Sequence, residues 1–374
     1  MNYNDYLTVV LTLWDKPRFT RRWMAYANYI HFPFKILIAD GGQDVEIERH
    51  LSDKKNYPSL NYDYLRYPKD KSYYDYYLKV DDALSKVETP YVVMADNDDF
   101  FIEDGLKRAV DFLQNNPAYS SCRGKMGQFG VVLDKKYGED SGVYGKIEDH
   151  HVNDKSVSDN EDTASGRVNN VSFLHVNPCF YDVQRKDTLK KIFLSLVKIN
   201  LKDLFLMECF HWFFNAINGK VKRENYLYLM RQYPGIESSA GKHRNKHGDM
   251  FDRMLVPTWS EDFGRFVDGL TRFGVDKYGV NEEGFSACVV SAYRRFMGLG
   301  ISKFATSGKQ KGAYILIKYI KDIVKQFDCN GLLKKIYHVT CRRSLLRSQK
   351  EQEIEYPELN VIIDFLNTQH ALGG

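Results

Sequence analysis

Within its first hundred residues the chain separates four short apolar runs by stretches with helical periodicity. Tyr6 to Leu13 reads YLTVVLTL, Phe34 to Ala39 reads FKILIA, Leu60 to Tyr67 is a third run, and Tyr91 to Ala95 reads YVVMA. The intervening segments 17 to 30, 44 to 52 and 72 to 87 read as helices, the first with Pro17 near its start and Phe19, Trp23 and Tyr26 along it. Strands alternating with helices of this length build βαβ units and a mostly parallel sheet. The runs are apolar throughout instead of alternating, which fits strands buried on both faces. The expected fold is therefore α/β, a mixed, mostly parallel sheet flanked by helices.

Beyond residue 100 the pattern loosens. A helix is expected over 104 to 116, and a strand from Gly124 to Leu133. The polar stretch 138 to 170, carrying His150-His151, reads as a long loop or partly ordered insertion. Strand character resumes from Phe173 to Val183. Residues 187 to 217 read as helical, Tyr226 to Arg231 as a strand, 234 to 250 as a loop, and the remainder as mainly helical. This suggests an α/β unit over 1–250, in two parts at 1–130 and 131–250, followed by a helical C-terminal region at 251–374.

Composition narrows the classes. Hydrophobic residues at 43% and charged residues at 27% argue against wholesale disorder. The 53 basic residues barely outnumber 49 acidic ones, giving a net charge of +4, and they are interspersed with the acids. A nucleic-acid partner is not expected from such a balance. The six cysteines show no CxxC spacing, which suggests a reducing compartment. No leader pattern opens the sequence and no run of about 18 apolar residues is present. A cytoplasmic protein, soluble or peripheral at the inner membrane face, is the expectation.

The strongest chemical signal is YVVMADNDDF at 91 to 100. A buried strand ends in three carboxylates within four residues, and ligands in open α/β sheets bind beyond the carboxyl ends of strands. Asp96 and Asp98 would repel each other if left empty. A hard divalent cation, Mg²⁺ or Mn²⁺, removes that repulsion and commonly bridges carboxylates to phosphate oxygens. An acidic turn capping the next helix is the alternative for so short a motif.

With TVVLTL, KILIADGG, the helix bearing Lys79 and TPYVVMADNDDF in this order, the N-terminal third resembles a GT-A-fold nucleotide-sugar glycosyltransferase of the family 2 type, as found in bacterial surface polysaccharide synthesis. The resemblance implies a GT-A-like, Rossmann-related sheet, a catalytic unit over 1–250 with a nucleotide-sugar-binding half at 1–130 and an acceptor half at 131–250, and a role for each matching position. Thr12 and Leu13 would carry the nucleotide base on backbone, and Asp40 would bond it. Lys79 would meet the nucleotide. Asp96 would face the ribose or donor sugar with Asn97 beside it, and Asp98 would be the direct metal ligand together with Asp96. Asp99 would bind donor hydroxyls or cap the next helix.

An inverting transferase also needs a general base for the acceptor hydroxyl. LKDLFLMECFHWFFNAING at 201 to 219 is strongly apolar apart from Glu208, and a carboxylate in such a segment is costly without a partner or a task. Glu208 is the candidate and Asp203 its rival; pairing with a group such as His211 is the structural alternative. Trp212 and Phe214 would stack on an acceptor sugar or, more simply, fill the core. In LMRQYPGIESSAGKHRNK at 229 to 246, the resemblance points to His243 as a third metal ligand, with Arg231, Lys242 and Arg244 on the pyrophosphate. His150-His151 is a minor alternative as a metal pair.

Toward the C-terminus, KGAYILIKYIKDIVKQF at 311 to 327 and LLKKIYHVTCRRSLLRSQK at 332 to 350 set apolar residues against lysine and arginine. This suits either a helix on an anionic membrane surface or a docking helix in a bundle or homo-oligomer. The expected activity is metal-dependent transfer of a sugar from a nucleotide donor to a glycan or lipid-linked glycan. A nucleotidyl- or phosphotransferase is the second reading, weakened by the absence of a glycine-rich loop in TLWDKPRF. A non-catalytic nucleotide- or glycan-binding module is the third.

Overall fold

The computed structural model of the chain describes residues 2–14, 16–132, 141–171, 179–233, 245, 246, 248, 250–298 and 349–368. The N-terminal half follows the expected alternation: β1 (Leu7–Leu13), α1 (Pro17–Tyr29), β2 (Lys35–Asp40), α2 (Val45–Ser52), β3 (Tyr62–Arg66), α3 (Tyr73–Ser85) and β4 (Tyr91–Ala95). Then come β5 (Phe100–Phe101), α4 (Glu103–Asn115), β6 (Tyr119–Val131), β7 (Ile147–Val152), α5 (Ala164–Val171), β8 (Val183–Arg185), α6 (Lys186–Ile199), α7 (Leu204–Asn218) and β9 (Lys220–Gln232). Helices at Met250–Met254, Pro257–Tyr278, 282–298, 349–355 and Leu359–Thr368 complete the described chain.

The strands form one sheet in the order β3-β2-β1-β4-β8-β6-β9-β5, with β7 beside β6. β3, β2, β1 and β4 run parallel, as does β6 with β9. β8, β5 and β7 enter antiparallel. This is the mixed, mostly parallel sheet with helical cover read from the sequence. The winding reverses at β1, whose neighbours are β2 and β4, and their carboxyl ends meet at one edge: Leu13 pairs with Asp40, and Leu11 with Ala95. A reversal of this kind opens a crevice at the strand ends.

Both faces of β1, β2 and β4 are buried, so their uniform apolar runs are used twice. Leu7, Val9, Leu11 and Leu13 of β1 face one core with Trp23, Leu106 and Val110, while Val10 joins Val92 and Met94 in the opposite core against α3, α6 and α7. Each fully buried aliphatic side chain contributes about 1.5–3 kcal/mol. Helix starts are set locally: Asp44 accepts from the Ile47 amide, Ser72 from Asp75, and Asp203 from Leu206.

Three segments differ from expectation. The polar stretch 138 to 170 contains β7 and α5. β7, reading IEDHHV, is held by ladder bonds to β6 despite its polarity. The helix expected over 187 to 217 is two helices, broken where Asn200 turns left-handed (φ 49°) and Asp203 caps α7. Of the strand expected over 173 to 183, the described part is a 3₁₀ turn at Cys179–Tyr181, then β8. The C-terminal helices share the cores: Phe266 and Leu270 pack with Phe210 and Phe213, and Leu359, Ile362 and Phe365 with Tyr26 and Phe100.

Candidate active site

The four residues Asp96 to Asp99 link two anchored segments. β4 before them is buried throughout, and β5 after them is pinned to β9 through Phe100↔Met230 and Phe101↔Leu229. The link therefore has to leave the sheet at the crevice edge, and it carries its three acids there. One oxygen each from Asp96, Asp98 and Asp99 lies within 4.8 Å of the others. A hard all-oxygen donor set of this size suits Mg²⁺ or Mn²⁺.

Each acid has its own partner. The Tyr181 hydroxyl donates to Asp96 Oδ2 at 2.5 Å. Lys16 Nζ sits 2.7 Å from Asp98 Oδ2. Arg231 Nε donates to Asp99 Oδ2 at 3.0 Å, and the Gln232 amide reaches Asp99 Oδ1 at 3.2 Å. Burial pushes both Asp96 and Asp99 upward, Asp99 to about 7; the Asp98 charge adds to the rise at each, while Arg231 opposes it. The mutual repulsion that contributes to these rises is what a bound cation would relieve.

Asn97 was expected to face the donor. Its amide instead donates to Thr20 Oγ1 at 2.9 Å and to the Lys16 carbonyl at 3.3 Å, so it ties the tip to the start of α1. Arg22 braces the same corner from below. It is fully buried and donates to the Asp98 carbonyl at 2.9 Å, to Val143 O at 2.8 Å and to Gln232 Oε1 at 2.6 Å.

The floor of the crevice comes from β1 and β2. Thr12 and Leu13 end β1 where expected. Asp40 is buried, with Oδ1 held by the Gly42 amide (2.7 Å) and Oδ2 by Tyr64 and Arg66 (2.6 Å each). The turn after it is tight: a Cβ on Gly42 would come within 2.5 Å of the Trp14 carbonyl. Lys79 differs from the expected nucleotide contact. It is buried beneath the turn, ion-paired with Asp70, and it donates to the Leu13 carbonyl at 2.9 Å. It acts as a clamp on the floor, because burying an ammonium requires such a partner.

Glu208 lies in the first turns of α7 and is partly buried. Burial raises its carboxyl to about 7, Arg231 opposes the rise, and the Asp96 charge adds to it, which puts Glu208 within electrostatic reach of the tip. Asp203 is otherwise engaged: it caps α7 and pairs with Arg253 at 2.6 Å. His211 does not pair with Glu208; it bonds Gln184, and burial lowers it to about 4. Trp212 and Phe214 are core residues, Phe214 stacked on Phe273 at 3.7 Å between centroids.

Lys242, His243 and Arg244 lie outside the described residues, as do His247, 311–327 and 332–348. His150 sits on β7 opposite Phe129, 3.6 Å from Glu353. The described cysteines, Cys122, Cys179, Cys209 and Cys288, are free thiols. No helix among the described residues is long and apolar enough to cross a membrane.

Four contributors escaped the sequence reading: Lys16, Arg22, Tyr181 and Trp14. The exposed Trp14 indole follows β1 directly and donates to the Asp70 carbonyl at 3.0 Å. Trp14 and Lys16 had a signal in their place immediately after a strand end. Tyr181 and Arg22 had none, since their partners are 50 to 210 residues away.

No family model matches the chain, and no curated protein matches it. Among solved structures, S. aureus TarS superposes with a TM-score of 0.45 at 14% identity, over 77% of this chain and 54% of that one. TarS 1–349 in complex with UDP-GlcNAc gives 0.45 at 13%, over 78% and 73%. The UDP complex of the same fragment gives 0.43 at 13%, over 79% and 92%. This chain thus spans 54% of the length of the first of these structures.

Proposed function

We propose that this chain is a metal-dependent glycosyltransferase that moves a sugar from a nucleotide-sugar donor to a glycan hydroxyl, with inversion, in the building of a cell-surface polysaccharide. The observation that carries the reading is the cluster of three carboxylates at the end of β4, with the Glu208 carboxyl on α7 near enough to feel the Asp96 charge. Asp96, Asp98 and Asp99 would hold the cation, which when bound supplies charge neutralisation to the departing diphosphate.

The chain's own groups do the rest. Leu13, Asp40 and Trp14 at the ends of β1 and β2 would receive the base and ribose. Arg231, held by Asp99 and by the Tyr181 hydroxyl, offers a guanidinium to phosphate or sugar oxygens. Glu208 takes the proton of the attacking hydroxyl, and a carboxyl near pH 7 is suited to that exchange.

A panel of nucleotide sugars, UDP-GlcNAc among them, incubated with Mn²⁺ or Mg²⁺ tests this. Donor turnover that stops with EDTA and falls sharply in Glu208→Gln is the expected result. Nucleotide binding without turnover of any donor would assign the crevice to a binding module, and EDTA-resistant turnover would remove the cation.

A further inference from the structure

We propose that Lys16 is an exchangeable internal counter-ion: it holds Asp98 until a divalent cation enters, and then offers its ammonium to the donor's diphosphate. This rests on the reading of the acidic tip as a cation site.

Lys16 is locally a poor choice for its position. It stands at the N-cap of α1 with left-handed backbone (φ 68°, ψ 57°) and makes no side-chain cap bond. Side chains other than glycine or asparagine rarely adopt that conformation. A cation at a helix N-terminus also opposes the helix dipole. Residues held against local preference often mark functional corners.

What the position gains is the contact with Asp98. Lys16 Nζ lies 2.7 Å from Asp98 Oδ2, and both side chains are largely covered, 17% and 16% exposed. The Lys16 carbonyl also accepts from Asn97, so backbone and side chain engage the same acidic tip. Pro17 follows immediately and fixes the chain direction into α1.

Of the basic side chains at the tip, Lys16 is the one built to move: Arg22 is fully buried and bonded to the Asp98 and Val143 carbonyls and to Gln232. Arg231 is fixed by bonds to Asp99 and Tyr181 and lies over the Tyr181 ring at 4.6 Å. Among the described residues Lys16 makes one ionic contact, to Asp98, and lies 5.4 Å from the Phe19 ring centroid, on a flexible four-carbon stem. A divalent ion on Asp98 and an ammonium on the same oxygen repel each other strongly in a partly covered site. The displaced ammonium stays tethered at the crevice, where a diphosphate bound to the cation would lie.

The test is Mn²⁺ binding followed by EPR without nucleotide, then UDP affinity by calorimetry at saturating Mn²⁺, for wild type, Lys16→Met, Lys16→Gly and Lys16→Arg. Lys16→Gly relaxes the left-handed backbone and so gives a second neutral variant should Lys16→Met fold poorly. Losing a competing ion pair of this exposure should tighten Mn²⁺ by roughly two- to fivefold in both neutral variants. UDP should bind more weakly to them, and Lys16→Arg should stay close to wild type in both assays. Unchanged or weaker Mn²⁺ binding in the neutral variants overturns the counter-ion role. Tighter Mn²⁺ with unchanged UDP affinity overturns the transfer to diphosphate. Absence of Mn²⁺ binding in wild type and variants alike removes the cation reading itself.

Discussion

Arg231 of β9 and Asp99 of the β4–β5 link form an ion pair at 3.0 Å, and the same guanidinium donates to the Tyr181 hydroxyl, which in turn donates to Asp96. One side chain thus fixes the orientation of two of the three acids. Lysine at this position keeps the charge but cannot reach both partners from one planar group. Arg231→Lys should lower kcat/KM by on the order of 100-fold through misplaced acids. Because the guanidinium is 41% exposed, its loss should cost only about 1 kcal/mol of stability. Steady-state kinetics beside a denaturant melt separates the two effects.

Glu208 has a carboxyl raised to about 7, chiefly by burial. As a base it must be ionised, so kcat/KM at saturating Mn²⁺ should rise with pH through an apparent pKa near 7, and Glu208→Gln should lose that limb with most of the activity. The stability effect has the opposite sign. A carboxyl raised in the folded state favours folding below its unfolded pKa and loses that advantage as pH climbs through the folded value. Glu208→Gln should therefore gain about 2 kcal/mol relative to wild type at pH 8 and little at pH 5. Urea melts at the two pH values measure the difference; a variant equally affected at both would show that Glu208 is not strained in the fold.

Asp182, fully buried, accepts from Ser121 and from Arg223 at 2.8 Å each and lies 3.2 Å from Arg123, itself fully buried and paired with Asp154. Breaking one member of a buried pair leaves the others uncompensated. Asp182→Asn should cost about 3 kcal/mol or more, read as a lowered urea midpoint.

Asp203 joins a helix cap to an ion pair with buried Arg253. Asn at this position still caps but removes the carboxylate charge that faces the buried Arg253, so Asp203→Asn should lose about 2 kcal/mol while keeping transfer within a few-fold. Loss of transfer in a variant that remains folded by circular dichroism would shift the base role from Glu208 to Asp203.

The parts legible in the sequence are those written in short stretches of chain. β4 reads directly from YVVMA, β1 and β2 fall within a residue of their apolar runs, and the acids close the strand as their order suggests. Trp212 and Phe214 follow their hydrophobicity into the core. The rest depends on pairing across the chain. β7 is polar and becomes a strand only because β6 offers it a ladder. β9 begins at Lys220, well before its apolar stretch, because β6 lies alongside. Lys79 and Asn97 carry the right chemistry for a ligand, yet nearer partners, Asp70 and Thr20, take them. Asn200 and Asp203, a left-handed terminator and an N-cap, did mark the break between α6 and α7 in the sequence, beneath a stronger apolar periodicity.

The most direct measurement is anomalous scattering at the manganese edge from a crystal grown with Mn²⁺ and UDP. The expected result is a single strong peak bonded to a carboxylate oxygen of Asp98, close to Asp96, with the diphosphate on its far side. Well-ordered nucleotide at the β1–β2 strand ends with no manganese at Asp98 would contradict the cation site at its centre.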